Sequence, residues 1–218
     1  MSGFFEYVMQ CMPQLLLGLK LTLQMTTISL ILAVVIGMIT CLFSISKNKL
    51  MHAVSGLYLS VIRGTPLMVQ ALFIYFGLTA ALNIKISPFN AAIIVLCLNA
   101  GAYLSEIFRS GIAAINKGQM EAARSLGLPY SVAMRKIILP QAFRIVIPSV
   151  LNQFIITLKD TSILSAIGCG ELMRQSQLIV ARNFRSFETY AIIAVMYYIV
   201  VVVLTKLFQL VERRLATK

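Results

Sequence analysis

Residues 116–140 read NKGQMEAARSLGLPYSVAMRKIILP and lie between two long apolar runs. Glu121, Ala122 and Ala123 fall in a segment of good helix formers. That helix is expected to stop near Gly127, because glycine accepts the left-handed conformation that closes a helix C-terminus. Pro129 forbids simple continuation. Ser131 can N-cap a second short helix running to Ile138, and Pro140 is expected to end it. Two short helices joined by a Gly-Leu-Pro bend make a rigid, partly apolar knob of the kind a partner protein's groove accepts.

The flanks decide where this knob sits. Of the 218 residues 59% are hydrophobic and only 12% are charged, and the mean hydropathy is +0.89. A soluble domain carries about 25% charged residues, so the composition asks for a bilayer, which about 20 apolar residues cross as a helix. Five stretches are long enough, at roughly 15–45, 54–82, 89–112, 143–166 and 189–211. Open sheet edges cannot face lipid, and the runs lack the alternation of barrel strands. The expected fold class is therefore all-α: a polytopic membrane protein with about five transmembrane helices and a polar loop over about 113–142. Asn152, Gln153, Lys159 and Asp160 interrupt the fourth stretch.

The net charge of +12 does not read as a nucleic-acid footprint, because the basic residues bracket apolar runs with no aromatic interleaving. Lys and Arg near span ends favour the cytoplasmic side. With the N-terminus outside, the inner segments hold twelve Lys and Arg (from Lys47 and Lys49, through the 109–144 region, to Lys206, Arg213, Arg214 and Lys218). The outer ones hold five, namely Lys20, Lys85, Arg174, Arg182 and Arg185. That asymmetry implies five spans with the N-terminus out and the C-terminus in. The outer segment 167–188 carries three arginines among apolar residues and is expected to form an interfacial or re-entrant helix rather than a free loop. No repeat or domain boundary is visible, so 1–218 reads as one transmembrane domain. The first residues lack the basic n-region of a cleaved signal.

Several functional classes are disfavoured. Cys11, Cys41, Cys97 and Cys169 are far apart and form no C-x-x-C or Cys/His cluster. His52 is the only histidine; without a partner it suits a solvated or interfacial role. No G-x-x-x-x-G-K-[ST] phosphate loop occurs, so any ATP chemistry belongs to another polypeptide.

Charges at membrane depth cost about 2.5–3.5 kcal/mol on insertion scales and so face a cavity or a partner. Asp160 is the first candidate for a substrate contact, with Asn99 adding a hydrogen bond; the alternative is a structural pair with Arg63. Lys159 is a poor partner, since adjacent helical residues point about 100° apart. Arg63 either binds a substrate carboxylate or is structural, because Gly64 and Pro66 beside it weaken the helix and free backbone groups that need partners. Glu106 stands three residues before Arg109, where an i,i+3 pair competes with a substrate role.

The spacing inside the loop adds a resemblance. Glu121-Ala122-Ala123, then Gly127, then Ile137 and Leu139-Pro140 is similar to the EAA loop of permease subunits of ATP-binding cassette (ABC) importers. Arg63-Gly64-Thr65-Pro66-Leu67, the run from Ala102 to Gly111, Gly118-Gln119 and Lys159-Asp160-Thr161-Ser162 resemble the polar amino acid, or histidine/glutamine, branch of that family. The likeness spans about residues 15–212, with Ile163 standing where the family often has leucine. It implies a chain that moves polar amino acids by alternating access. Glu121, Ala122, Ala123, Gly127, Leu128 and Pro129 would then form the coupling helix that docks on a dimer of ATP-binding cassette ATPase subunits. No cofactor is expected on this chain; ATP and Mg would sit on the ATPase. The other implied partners are a second permease chain, identical or paralogous, an extracellular or periplasmic amino-acid-binding protein and membrane lipid, with no nucleic acid. The implied location is the bacterial cytoplasmic membrane. A proton-coupled secondary transporter using Asp160 and Glu106, or a non-transport scaffold, would leave the loop unexplained.

Overall fold

The computed structural model describes residues 2–216, and among them every regular element is a helix. The chain runs α1 (Ser2–Ser44), α2 (Lys49–Gly64), α3 (Leu67–Leu72), a π-helical turn (Phe73–Leu78) and α4 (Thr79–Leu82). Then come α5 (Pro88–Ala113), α6 (Lys117–Ser125), α7 (Tyr130–Ala133), a second π-helical turn (Met134–Ile138) and α8 (Leu139–Asp160). A 3₁₀ segment (Thr161–Ile167), α9 (Leu172–Asn183) and α10 (Ser186–Ala216) complete it. Four helices are long and apolar enough to cross a membrane, and the bent pair Lys49–Gly64 with Leu67–Leu82 makes a fifth span if taken as one. Thr217 and Lys218 of the basic C-terminal end fall outside the described residues.

The first span is longer than its apolar run suggested. Its 43 residues reach about 64 Å at 1.5 Å per residue, about twice the hydrocarbon thickness. The helix uses the length to hold two halves. Near its start Tyr7, Cys11 and Leu15 pack with Leu172, Ile179, Ile192 and Ile193 of α9 and α10. Further on, Ala33 meets Cys97, Ala100 and Leu104 of α5. The α1–α5 crossing is close because of Gly37. A Cβ there would stand 2.9 Å from the Leu104 Cβ and 3.0 Å from the Gly101 carbonyl oxygen, the small-residue approach by which helices associate in lipid.

Two expectations about the loop are corrected. Ser131 does not cap the second helix: Pro129 does, with ψ at 149°, and its carbonyl accepts from the Val132 and Ala133 N–H groups at 3.0 Å. Pro129 is preset for that position, so the helix begins before Ser131 can act. Nor does Pro140 end it. The helical path continues from Tyr130 to Ile167, with Pro140 near the start of α8. The π-helical turn Met134–Ile138 immediately before it is wider than an α turn, which accommodates the ring. The Gln141 side chain donates to the Ile137 carbonyl at 2.8 Å where the ladder is disturbed.

The segment 167–188 does form a helix. α9 lies against α1 and α10, and Arg185 pairs with Glu188 at 3.0 Å while its guanidinium sits 4.0 Å from the Tyr7 ring centroid.

Candidate functional site

The site is built on the break between α2 and α3. Gly64 and Pro66 interrupt the helix, and the two halves meet at a bend of 106°. The break releases carbonyls, and an unsatisfied buried polar group costs about 1–3 kcal/mol. Gln70 answers this. Its side-chain amide donates to the Ile62 carbonyl at 2.7 Å, the Thr65 carbonyl at 3.1 Å and the Thr65 hydroxyl at 3.0 Å. Its own carbonyl oxygen accepts from the Asn99 amide at 3.2 Å. Gln70 was missed by the sequence reasoning. The only signal was an amide one turn past Pro66 in an apolar run.

Beside this knot opens a cavity of about 410 Å³, lined by Thr65, Pro66, Asn99, Tyr103, Gln153 and Asp160, with Leu67 and Ile156. Its size lies within the range of about 300–1,000 Å³ usual for small-molecule sites. Asp160 is the last residue of α8, and none of the ion pairs seen among the described residues involves it. Lys159 is exposed and is not part of the cavity lining. The cavity therefore brings Asp160 and Asn99 together with the amide of Gln153, one of the polar residues that interrupt the fourth apolar stretch, and with the Tyr103 ring, to which the sequence had given no site role.

Arg63 and Glu106 are elsewhere. Glu106 accepts two bonds from Arg109, at 3.1 and 2.7 Å, and pairs with Arg63 at 3.5 Å. The Arg63 guanidinium also lies 5.8 Å from the Tyr103 ring centroid. These charges form a partly exposed cluster next to the cavity wall, not a part of its lining. Among the described residues no group of three His, Cys, Asp or Glu could hold a metal ion.

At one end of the bundle α6 projects as the knob. Asn116 caps it, its side chain accepting from the Gly118 N–H at 2.8 Å. Its far end is a Schellman turn: Leu128 N–H donates to the Ala123 carbonyl at 3.1 Å and Gly127 N–H to the Arg124 carbonyl at 3.0 Å. Gly127 has φ +82°, as the sequence implied. Glu121, Ala122, Gly127 and Pro129 are exposed and Leu128 is half-buried. Ala123 is buried and packs α6 against the chain that follows. Leu126, which the motif reading passed over, is 82% exposed and is the most exposed large hydrophobic side chain of the knob.

Residues 29–217 match the family of binding-protein-dependent transport system inner membrane components. The chain belongs to this family. The permease is 39% identical over 211 residues to an arginine transport system permease protein of Bacillus subtilis (strain 168), covering 97% of this chain and 96% of that one. It is 41% identical over 204 residues to a glutamine transport system permease protein of Escherichia coli (strain K12), covering 93% of each. Its fold superposes on the crystal structure of an amino acid ABC transporter with histidines at a TM-score of 0.92, with 40% identity over 96% of this chain and 98% of that one. The MetNI methionine ABC transporter in inward-facing form shares the fold of the permease, at a TM-score of 0.79 and 19% identity over 94% of this chain and 97% of that one.

Proposed function

We propose that this permease, with a second permease chain, lines the path by which an ATP-driven importer carries polar amino acids across the bacterial cytoplasmic membrane. The observation that carries the reading is Asp160: a carboxylate without an ion-pair partner among the described residues, on an open cavity with the Asn99 and Gln153 amides. A free amino acid carries an ammonium and a carboxylate. Asp160 pairs with the ammonium, and the amides serve the remaining polar groups. Relatives named for arginine and glutamine transport fit a substrate of this class.

Energy comes from outside the chain, through ATP and Mg held by a dimer of cassette ATPases that receives α6. An external binding protein delivers the amino acid. The whole chain acts as one membrane unit, with the N-terminus outside and α6 and the C-terminus in the cytoplasm. Alternating access then consists of opening the cavity first to one side and next to the other as the ATPases close and part. Reconstitution with the cognate ATPase and binding protein tests the proposal. ATP-dependent uptake of a labelled polar amino acid, competed by a panel of others, is the expected result. Uptake that proceeds without the ATPase would contradict it.

A further inference from the structure

The transport reading gives no task to the two charges beside the cavity, Arg63 and Glu106. On α5, Asn99, Tyr103 and Glu106 follow one another at spacings of four and three residues, which places them on one face of the helix. Asn99 and Tyr103 line the cavity. Glu106 stands about 10 Å past Asn99 along the axis, toward the end of α5 that leads into α6. Arg63, near the end of α2, comes two residues before Thr65, another lining residue. Its guanidinium lies 5.8 Å from the Tyr103 ring centroid and 3.5 Å from the Glu106 carboxylate. The pair therefore joins α2 to α5 next to the lining residues of each.

The way the pair is held suits a contact that opens. The side chains are 44% and 24% exposed, although each residue stands within an apolar stretch of span length. Charges so placed mark water-filled substrate paths. Glu106 makes its short bonds to Arg109, at 3.1 and 2.7 Å, and only the longer contact to Arg63. Arg63 can thus leave without orphaning the carboxylate, which is the costly outcome when an ion pair breaks away from water. Glu171 is the contrast. It has no exposure, and its oxygens accept from the Met173 and Arg174 N–H groups at 2.8 and 2.6 Å at the start of α9, a fixed arrangement. The Tyr58 hydroxyl donates to the Leu98 carbonyl at 2.6 Å and anchors the body of α2 on α5. Opening at Arg63 then needs only the end of α2, beside the Gly64–Pro66 break, to move.

We propose that the Arg63–Glu106 pair gates the exit of the substrate cavity toward α6. Closed, it ties the end of α2 to α5 beside Tyr103. Open, Arg63 leaves Glu106 to Arg109 and uncovers the face of α5 that continues through the exposed Ser110, one turn beyond Glu106. α6 follows α5 after three residues, so movement of the docked knob reaches the pair through a single helix. The inference rests on the reading of the cavity around Asp160 as the substrate site and of α6 as the ATPase-docking knob. It gives the two charges a part in coupling and none in substrate affinity.

The test is the number of ATP molecules hydrolysed per amino acid transported by the full complex in proteoliposomes. KM and thermal unfolding are measured in parallel for Arg63→Gln, Arg63→Lys, Glu106→Gln and Asp160→Asn. A gate that does not hold closed lets the ATPases cycle without delivering substrate. Arg63→Gln should raise the ATP cost per amino acid about two- to fivefold, the weight of a partly exposed ion pair, with KM within about twofold. Glu106→Gln should act in the same direction. Arg63→Lys keeps the charge and should recover most of the wild-type ratio. Asp160→Asn should do the reverse, raising KM and leaving the ratio unchanged. A lowered unfolding temperature with a wild-type ratio in Arg63→Gln would reduce the pair to a structural tie and overturn the inference. A KM rise in Arg63→Gln as large as that in Asp160→Asn would overturn it too, by making Arg63 a substrate contact. So would an Arg63→Lys variant as uncoupled as Arg63→Gln. If Asp160→Asn itself leaves KM unchanged, the cavity reading fails and takes this inference with it. If Asp160→Asn raises KM while Arg63→Gln and Glu106→Gln keep the wild-type ratio, the gate fails alone.

Discussion

The turn at Gly127 offers a sharply bounded perturbation. A glycine at φ +82° can be replaced only by forcing a side chain into the left-handed region, which costs about 1–2 kcal/mol for an ordinary residue and more for a β-branched one. Nothing lies within 4 Å of the Cβ that a substitution would add, so the penalty is one of backbone angle and carries no clash. It falls on the two bonds of the Schellman turn, from Leu128 N–H to Ala123 and from Gly127 N–H to Arg124. A cost of that size lowers the population of the native turn by about 5- to 30-fold relative to its frayed forms. Gly127→Val, being β-branched, should therefore weaken docking of the ATPase by at least that factor while leaving the spans intact, because the site is exposed and does not line the cavity. Gly127→Asn should retain most of the affinity, since asparagine tolerates the same conformation. Recovery of the ATPase with the tagged permease, and the permease concentration at half-maximal binding, read the effect. Wild-type recovery and coupled transport in Gly127→Val would refute the idea that this turn presents the docking surface.

Two further outcomes follow from the same framework. Gln70→Leu removes the amide that serves the Ile62 and Thr65 carbonyls and frees Asn99. It should destabilise the complex by about 1–3 kcal/mol, seen as a lower unfolding temperature in detergent; unchanged stability would show that the break in α2–α3 does not depend on it. The orientation is checked by single-cysteine labelling on a cysteine-free background. Position 120 should resist an impermeant reagent in intact cells while positions 84–87 react, and labelling of position 120 without lysis would reverse the topology.

How much of this was legible follows from the range over which each feature is specified. Apolar runs of twenty or more residues announce a span by length alone, so the five spans and the helical class could be read directly. Gly127 was legible because its conformation is a property of one residue and its neighbours. Pro140 misled for the same local reason. Proline normally ends a helix, but the π-helical turn at Met134–Ile138 admits its ring, and no pattern of residue types declares that turn. Gln70 and Glu171 lay beyond sequence reasoning for another cause. Gln70 acquires its role only when the chain folds back by 106° at Gly64–Pro66. Glu171 stands in the segment expected as an interfacial or re-entrant helix, where nothing local says that its carboxylate is buried, and only the packing of the folded chain removes it from water. Within the cavity, Asp160 and Asn99 were marked by their polarity in apolar runs. Arg63 and Glu106 were marked by the same criterion, yet Glu106 pairs with both Arg63 and Arg109 beside the cavity, because a polar residue at depth signals a need for a partner without naming which one.

The central claim is that Asp160 contacts the substrate's ammonium, and Asp160→Asn tests it most directly. The substitution preserves size and removes the charge. A hydrogen bond to a charged group is worth about 1.5–3 kcal/mol, so KM for amino acid uptake by the reconstituted complex should rise by about ten- to a hundredfold, with ATPase and binding protein still assembling. A complex that assembles and transports with wild-type KM, or one whose only defect is poor expression and lost assembly, would contradict the account.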